Sequence, residues 1–217
     1  MNDLSMHTLI LDCLRHGECE GPAGLRGHTD VALSEVGWRN MQASARCLPK
    51  PERLISSPLS RCALMAQAMA TEWGMACATD DDLREMNFGD WDGISLEQVS
   101  RDAPAALAAF WENPAAAPPP NAEPLAAFEA RLQRAWNRLL KCDARHIVMM
   151  GHAGVIKTFL AWATGMNTDR ARHLQRIDLP YAGLTRLRID YDEQEQCWSQ
   201  LLFHGVPGAT LALPSEQ

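Results

Sequence analysis

Two apolar runs in this chain end in the same way. "LILDCLRHG" (residues 9–17) and "HIVMMGHAG" (146–154) each stop at a histidine flanked by a glycine. Short apolar runs bounded by such punctuation fit buried strands. Between them lie stripes of apolar residues at helical spacing: Trp38, Met41, Ala45 and Leu48; Leu59, Cys62, Ala66, Met69 and Trp73; Leu125, Phe128, Leu132, Ala135 and Leu139. Strands alternating with helices imply an α/β fold with a mostly parallel sheet, and such sheets place their sites outside the carboxyl ends of the strands. Both histidines stand at such ends, so one feature constrains the fold and the place of its chemistry together.

Local signals fill in the frame. His7 to Leu14 reads as a buried strand and "RLISS" (53–57) as a second, with "HIVMMGH" as a third. Ser34 reads as a helix N-cap with Glu35 in the first turn; "PKP" at 49–51 stops that helix, and Gly74 closes the next. "AGVIKTFLAWATGM" follows the third strand as a helix. "GLTRLRIDYDEQEQCWSQLLFHG" alternates around an acidic turn and predicts an antiparallel hairpin. Residues 86–124 differ: a short helical piece from about Ser95 to Trp111 precedes the stiff, extended "NPAAAPPPNAEP". The expected architecture is one domain over 1–217, a three-layer α/β/α fold with a helical and loop insertion above the site.

Composition bounds the partners. A chain of 217 residues with 47% hydrophobic content can bury one sizeable core. The formal net charge of -7 and the absence of a basic run argue against nucleic acid and anionic membranes as partners. No apolar stretch approaches the ~20 residues of a membrane span. The N-terminal "MNDLSMHTLI" lacks the marks of a signal peptide. The seven cysteines, an odd number without a CxxC pair, read as free thiols of a reducing compartment. A cytoplasmic protein is expected; a homodimer through the C-terminal hairpin is an option without a sequence signal of its own.

An acidic chain that handles an anion must gather its basic groups in one place. Arg15, His16, Arg61 and His152 are the candidates. Arg61 and His152 lie at or just before helix N-termini, which attract anions through free N–H groups. The planar fork of arginine suits phosphate oxygens. A histidine kept neutral by neighbouring arginines is a nucleophile, and forming a phosphoryl-histidine splits one hard displacement into two. Glu85 in "LREMNFG" can supply the proton that a leaving alkoxide needs. Each residue taken alone has a plainer reading: a structural histidine at a strand end, a solvated arginine, a surface glutamate. A metal site at His16, His152 and Glu85 has no supporting ligand spacing.

Taken in order, "LRHGE", "SSPLSRCALMA", "LREMNFGDWDG" and "MMGHAGVIK" resemble the histidine phosphatase superfamily, the phosphoglycerate-mutase-like fold, over about residues 7 to 190. The resemblance implies that His16 is the phosphorylated nucleophile, that Arg15, Arg61 and His152 complete the phosphate pocket, and that Glu85 is the proton donor. It implies no metal and no cofactor, and a small phosphorylated metabolite as substrate. Within the superfamily, "GLRGHTDVALSEVGWRNM" and "FGDWDG" are most similar to the alpha-ribazole phosphatases. A broad-specificity phosphatase or a phosphoglycerate mutase is the alternative. A non-catalytic binder of phosphorylated ligands is a further one, against which the presence of Glu85 counts. Departures from the family pattern are Cys19 for a threonine, Pro22 for an asparagine and Met65 for a threonine. "NAEP" stands where relatives carry "GES", which weakens any claim for Glu123. Arg26 in "GLRG" is the candidate to substitute for the missing asparagine, against the plainer reading of a surface arginine. Trp91, Phe110 and Trp111 are candidates to stack on a flat base, against a role in packing.

Overall fold

The computed structural model of the chain describes residues 7–208, apart from 170, 193 and 195. The rest of the chain, with both ends of the single domain expected over 1–217 and part of the acidic turn read from the sequence, lies outside the described residues.

Six strands form one sheet in the order β3-β2-β4-β1-β5-β6. The strands are β1 (His7–Arg15), β2 (Arg53–Ser56), β3 (Cys77–Thr79), β4 (His146–Gly151), β5 (Gly183–Tyr191) and β6 (Cys197–Pro207). β3, β2, β4 and β1 are parallel neighbours, and β5 and β6 add an antiparallel edge. The sheet is therefore mixed, with its parallel half carrying the two His-Gly ends. β3 has no counterpart among the strands expected from sequence: three residues are too few to show a period.

The helices are α1 (Glu35–Arg46), α2 (Ser60–Trp73), α3 (Leu96–Asp102), α4 (Pro104–Glu112), α5 (Leu125–Leu140), α6 (Ala153–Ala163) and α7 (His173–Arg176). The Ser34 hydroxyl accepts from Gly37 N, as an N-cap does. Gly74 ends α2 in the left-handed conformation at φ 61°. The single helical piece expected at Ser95–Trp111 is two helices, because Pro104 takes the first helical position of α4 and cannot continue α3. α7, of four residues, is likewise too short to leave a stripe.

Alternation along β4 builds the three layers. Ile147 and Met149 pack with Phe128, Leu132 and Phe159 of α5 and α6. Val148 and Met150 pack on the other face with Met41, Cys62 and Met65 of α1 and α2. The insertion has a small core of its own, made of Trp91, Val99, Leu107 and Phe110.

The strand-to-loop exit at His16 depends on two glycines. A Cβ on Gly17 would lie 2.1 Å from Gly37 O, and one on Gly37 would lie 2.0 Å from Glu18 O. Backbone therefore meets backbone where β1 hands over to the loop beneath α1, which accounts for the glycine of "RHG".

Candidate active site

Three strand ends meet. His16 follows β1, Ser57 follows β2 and His152 follows β4; His16 N donates to Gly151 O at 2.9 Å and Ser57 N to Met150 O at 3.0 Å. The His16 and His152 rings lie 5.3 Å apart, edge to face. His16 Nδ1 is 2.8 Å from Gly17 O. A carbonyl can only accept, so Nδ1 carries the proton and Nε2 holds the free lone pair. His152 Nε2 contacts Ser57 Oγ at 2.8 Å.

The arginines are fixed by backbone carbonyls. Arg61, the second residue of α2, is 0% exposed. Its Nη1 donates to Thr29 O at 3.0 Å and its Nη2 to Arg26 O at 3.1 Å and Gly27 O at 2.7 Å. Arg15 donates through Nη1 to Leu179 O and lies 4.1 Å from the Tyr181 ring centroid. The Nε of each arginine is buried with no acceptor among the described residues.

Burial pushes His16 well below its ordinary pKa of 6.5, and the charges of Arg61 and Arg15 push it further. His152 moves the same way, through burial first and then Arg61. Both imidazoles are neutral at neutral pH. Among the described residues no three His, Cys, Asp or Glu side chains converge as metal ligands.

Glu85 is buried against the same cavity. Its Oε1 accepts from Met86 N at 3.0 Å, and its Oε2 accepts from Gly154 N at 2.9 Å in the first turn of α6. The cavity holds about 270 Å³, with Arg15, His16, Arg26 and Glu85 on its wall. Arg61 and His152 are next to His16 but do not line that cavity themselves. Arg26 Nη2 donates to the carbonyls of Glu20, Gly21 and Pro22 at 2.7, 3.1 and 2.6 Å, so it ties down its own loop while its charge adds to the field that keeps His16 neutral.

Of the three aromatic candidates, Phe110 and Trp111 face the cavity and Trp91 does not. Trp91 is 7% exposed and meets Phe110 at right angles within the insertion core, at 5.8 Å. Of its two readings, the position of Trp91 in the insertion core fits packing; it sits at the end of the 3-10 turn Gly89–Trp91. Beside it, the Asp92 carboxylate accepts from the backbone of Gly27, His28, Thr29 and Phe88. Burial alone would raise Asp92, but these bonds with that of the Thr29 side chain hold it below its ordinary value. "FGDWDG" is thus a knot that fastens the insertion to the loop gripping Arg61.

Several site residues carry no sequence signal. Tyr181 and Lys157 reach the cavity, Lys157 with its Nζ donating to Leu174 O at 2.9 Å. Ser57 is one of two adjacent serines, and only the fold tells which contacts His152. Glu123 also has a stronger place than its "NAEP" setting suggests: it forms a half-buried ion pair with Arg131, Nε to Oε1 2.7 Å. A carboxylate is needed there for its partner rather than for the motif around it.

Comparison with known proteins places this geometry. The family model for the histidine phosphatase superfamily (branch 1) matches residues 11–199. A glucosyl-3-phosphoglycerate phosphatase of Mycobacterium tuberculosis is 29% identical over 94% of this chain and 90% of its own. One from Mycolicibacterium vanbaalenii is 32% identical over 76% of this chain and 78% of its own. The alpha-ribazole phosphatase structure from Shigella flexneri superposes with a TM-score of 0.78 at 22% identity, covering 96% of this chain and all of that one, a likeness of fold. With the sheet order, the paired histidines and the matched span in agreement, the chain belongs to the histidine phosphatase superfamily and is an enzyme of the phosphatase class.

Proposed function

We propose that the protein is a phosphomonoesterase that works through phospho-His16 on a substrate whose leaving alcohol carries a flat, apolar base, of the alpha-ribazole 5'-phosphate kind. The observation that carries this reading is His16, buried with its Nδ1 proton on Gly17 O and its Nε2 free, together with the buried Nε–H groups of Arg15 and Arg61, which have no acceptor among the described residues. In the first step His16 Nε2 attacks phosphorus, the bond from phosphorus to the ester oxygen breaks, and Glu85 gives its proton to the departing alkoxide. In the second, the Glu85 carboxylate takes a proton from water as the water oxygen attacks phosphorus. The P–N bond breaks and inorganic phosphate leaves. Arg15, Arg61 and His152 bind the oxygens whose charge is spread in both transition states.

Leu25, Phe88, Phe110, Trp111, Phe128 and Leu174 support the choice of leaving group, since they line the cavity beyond Glu85. A second reading has its own observation: Lys157 puts a cation on that same wall, which suits a carboxylate on the leaving group, as in a phosphoglycerate ester. The test is kcat/KM for phosphate release from alpha-ribazole 5'-phosphate, glucosyl-3-phosphoglycerate, 3-phosphoglycerate and p-nitrophenyl phosphate, with His16→Ala as the blank. A preference of ~100-fold for the ribotide, about 2.7 kcal/mol of transition-state binding, is expected. The same preference for an acid-bearing ester would establish the second reading, and a flat profile would leave a general phosphatase.

A further inference from the structure

The site described so far holds Glu85 by its carboxylate. Its backbone is held by a residue that does not itself line the cavity. Arg131 projects from α5 with its side chain 11% exposed. Its Nη1 donates to Asp82 O at 2.7 Å and Arg84 O at 2.6 Å, and its Nη2 to Glu85 O at 2.8 Å and Glu123 Oε2 at 2.8 Å. Its Nε donates to Glu123 Oε1 at 2.7 Å. A guanidinium has five N–H donors, and these bonds use them all. Glu123 extends the grip: its backbone N donates to Asn87 O at 2.9 Å, and Asn87 N donates to its Oε2 at 3.3 Å. Beneath the guanidinium, at 4.8 Å, lies the ring of Phe128, which also lines the cavity.

Three carbonyls of the segment 82–85 are therefore tied to the Arg131 cation, and both polar backbone groups of Asn87 to Glu123, one through its backbone N and one through its carboxylate. The bonds of the Glu85 carboxylate to Met86 N and to Gly154 N, two residues after His152, then set its direction. We propose that Arg131 and Glu123 are positioning residues for Glu85: they fix the loop that carries it, so that the proton is held at the leaving oxygen. The proposal rests on Glu85 being the acid. Lysine at position 131 keeps the charge but not the planar fork, so it separates geometry from electrostatics.

The experiment compares kcat/KM for p-nitrophenyl phosphate, whose leaving group needs little protonation, with that for glycerol phosphate, whose alkoxide needs it fully. Glu85→Gln is expected to lose ~10²–10³-fold on the alkyl ester and under ~10-fold on the aryl ester, in the range of general acid catalysis. Arg131→Lys is expected to reproduce that split at ~10–100-fold, the cost of a misplaced group, and to add nothing to Glu85→Gln in the double variant. Gly154→Ala is expected to show the same split with Arg131 intact, since its Cβ would lie 2.3 Å from Glu85 Oε1. Equal losses on both esters in Arg131→Lys, or losses that multiply fully with those of Glu85→Gln, would overturn the proposal. Should Arg131→Lys fail to melt cooperatively, Glu123→Gln carries the same comparison, and an even loss there overturns it too. If Glu85→Gln itself shows no split, the assignment of Glu85 as acid has failed, and that single variant reports it apart from Arg131.

Discussion

The two ends of the cavity are built by different means. At the phosphate end Arg15, His16, Arg61 and His152 grow from the end of a core strand or the first turn of a helix, the first three held by backbone carbonyls and His152 by the Ser57 hydroxyl. Arg61 is the extreme case, fully buried and bonded to three carbonyls. At the leaving-group end Phe88, Phe110 and Trp111 of the insertion and Leu174 of α7 join Leu25, Phe128 of α5 and Lys157 of α6 in the wall. It is mostly apolar and partly open, with Trp111 43% exposed. The insertion is held to the frame by the Asp92 knot and the Glu123–Arg131 pair, and to α7 by one bond from Gln175 Nε2 to Phe110 O at 3.3 Å. The reaction thus sits on parts that must not move, and the choice of substrate on parts that can vary without disturbing them.

The sharpest test of this division removes the nucleophile. His16→Ala is expected to cut turnover of every phosphomonoester by ~10⁴-fold or more, as loss of a nucleophile does, with cooperative melting retained. The loss must be uniform across substrates, because this end meets only the phosphoryl group. Substantial residual turnover, or a loss that depends on the alcohol, would break the division.

The second test follows protonation. His16 is faced by Arg15 from its own strand end, Arg61 from α2, Arg26 from its loop, His152 from β4 and Tyr181 before β5. Burial first, then Arg61 and Arg15, lower its pKa well below 6.5. Its ring resonances, followed by NMR, should therefore report a neutral imidazole from pH 7.5 down through 6.5, where an ordinary histidine is half charged. The sign for stability follows. The unfolded chain takes up this proton as pH falls through about 6.5 and the folded chain does not, so folding stability drops below that pH. A midpoint near 6.5 in the folded protein would mean that the arginines do not act on His16 as their placement implies.

The same division explains what could be read from the sequence. The framework was legible because its signals are local: apolar runs ending in His-Gly, stripes at helical spacing, Ser34 as a cap. Arg15, His16, Arg61 and His152 sit at the ends of those elements, so ordering the elements gathers them; Glu85 follows the 3-10 turn Asp81–Leu83, which left no such signal, and was placed by the resemblance of its motif. β3 and α7 were too short to carry a period. Arg131 reads as one more arginine on the polar face of α5, and only the return of the 82–87 loop makes it a clamp. Trp91 and Trp111 look alike as letters; the 3-10 turn before one and the helix under the other send them to opposite sides of the insertion. What was illegible is what depends on where the insertion folds back.

The smallest effect expected lies there, and it bears most directly on selectivity. Trp111 tilts against Phe110 at 5.1 Å between ring centroids and forms part of the cavity wall. An aromatic contact of this kind is worth ~0.5–1.5 kcal/mol beyond area burial, which corresponds to a loss of roughly 2- to 13-fold in kcat/KM. Trp111→Ala should impose that loss on an aromatic ribotide and leave p-nitrophenyl phosphate within about twofold, since the smaller ester reaches less of the outer wall. Because the side chain is half in solvent, the melting temperature should barely change, so kcat/KM isolates the contact. Equal losses on both esters would mean that the insertion also shapes the phosphate end. No loss on either would move selection inward, to Phe110, Phe128 and the Lys157 cation on the deeper wall.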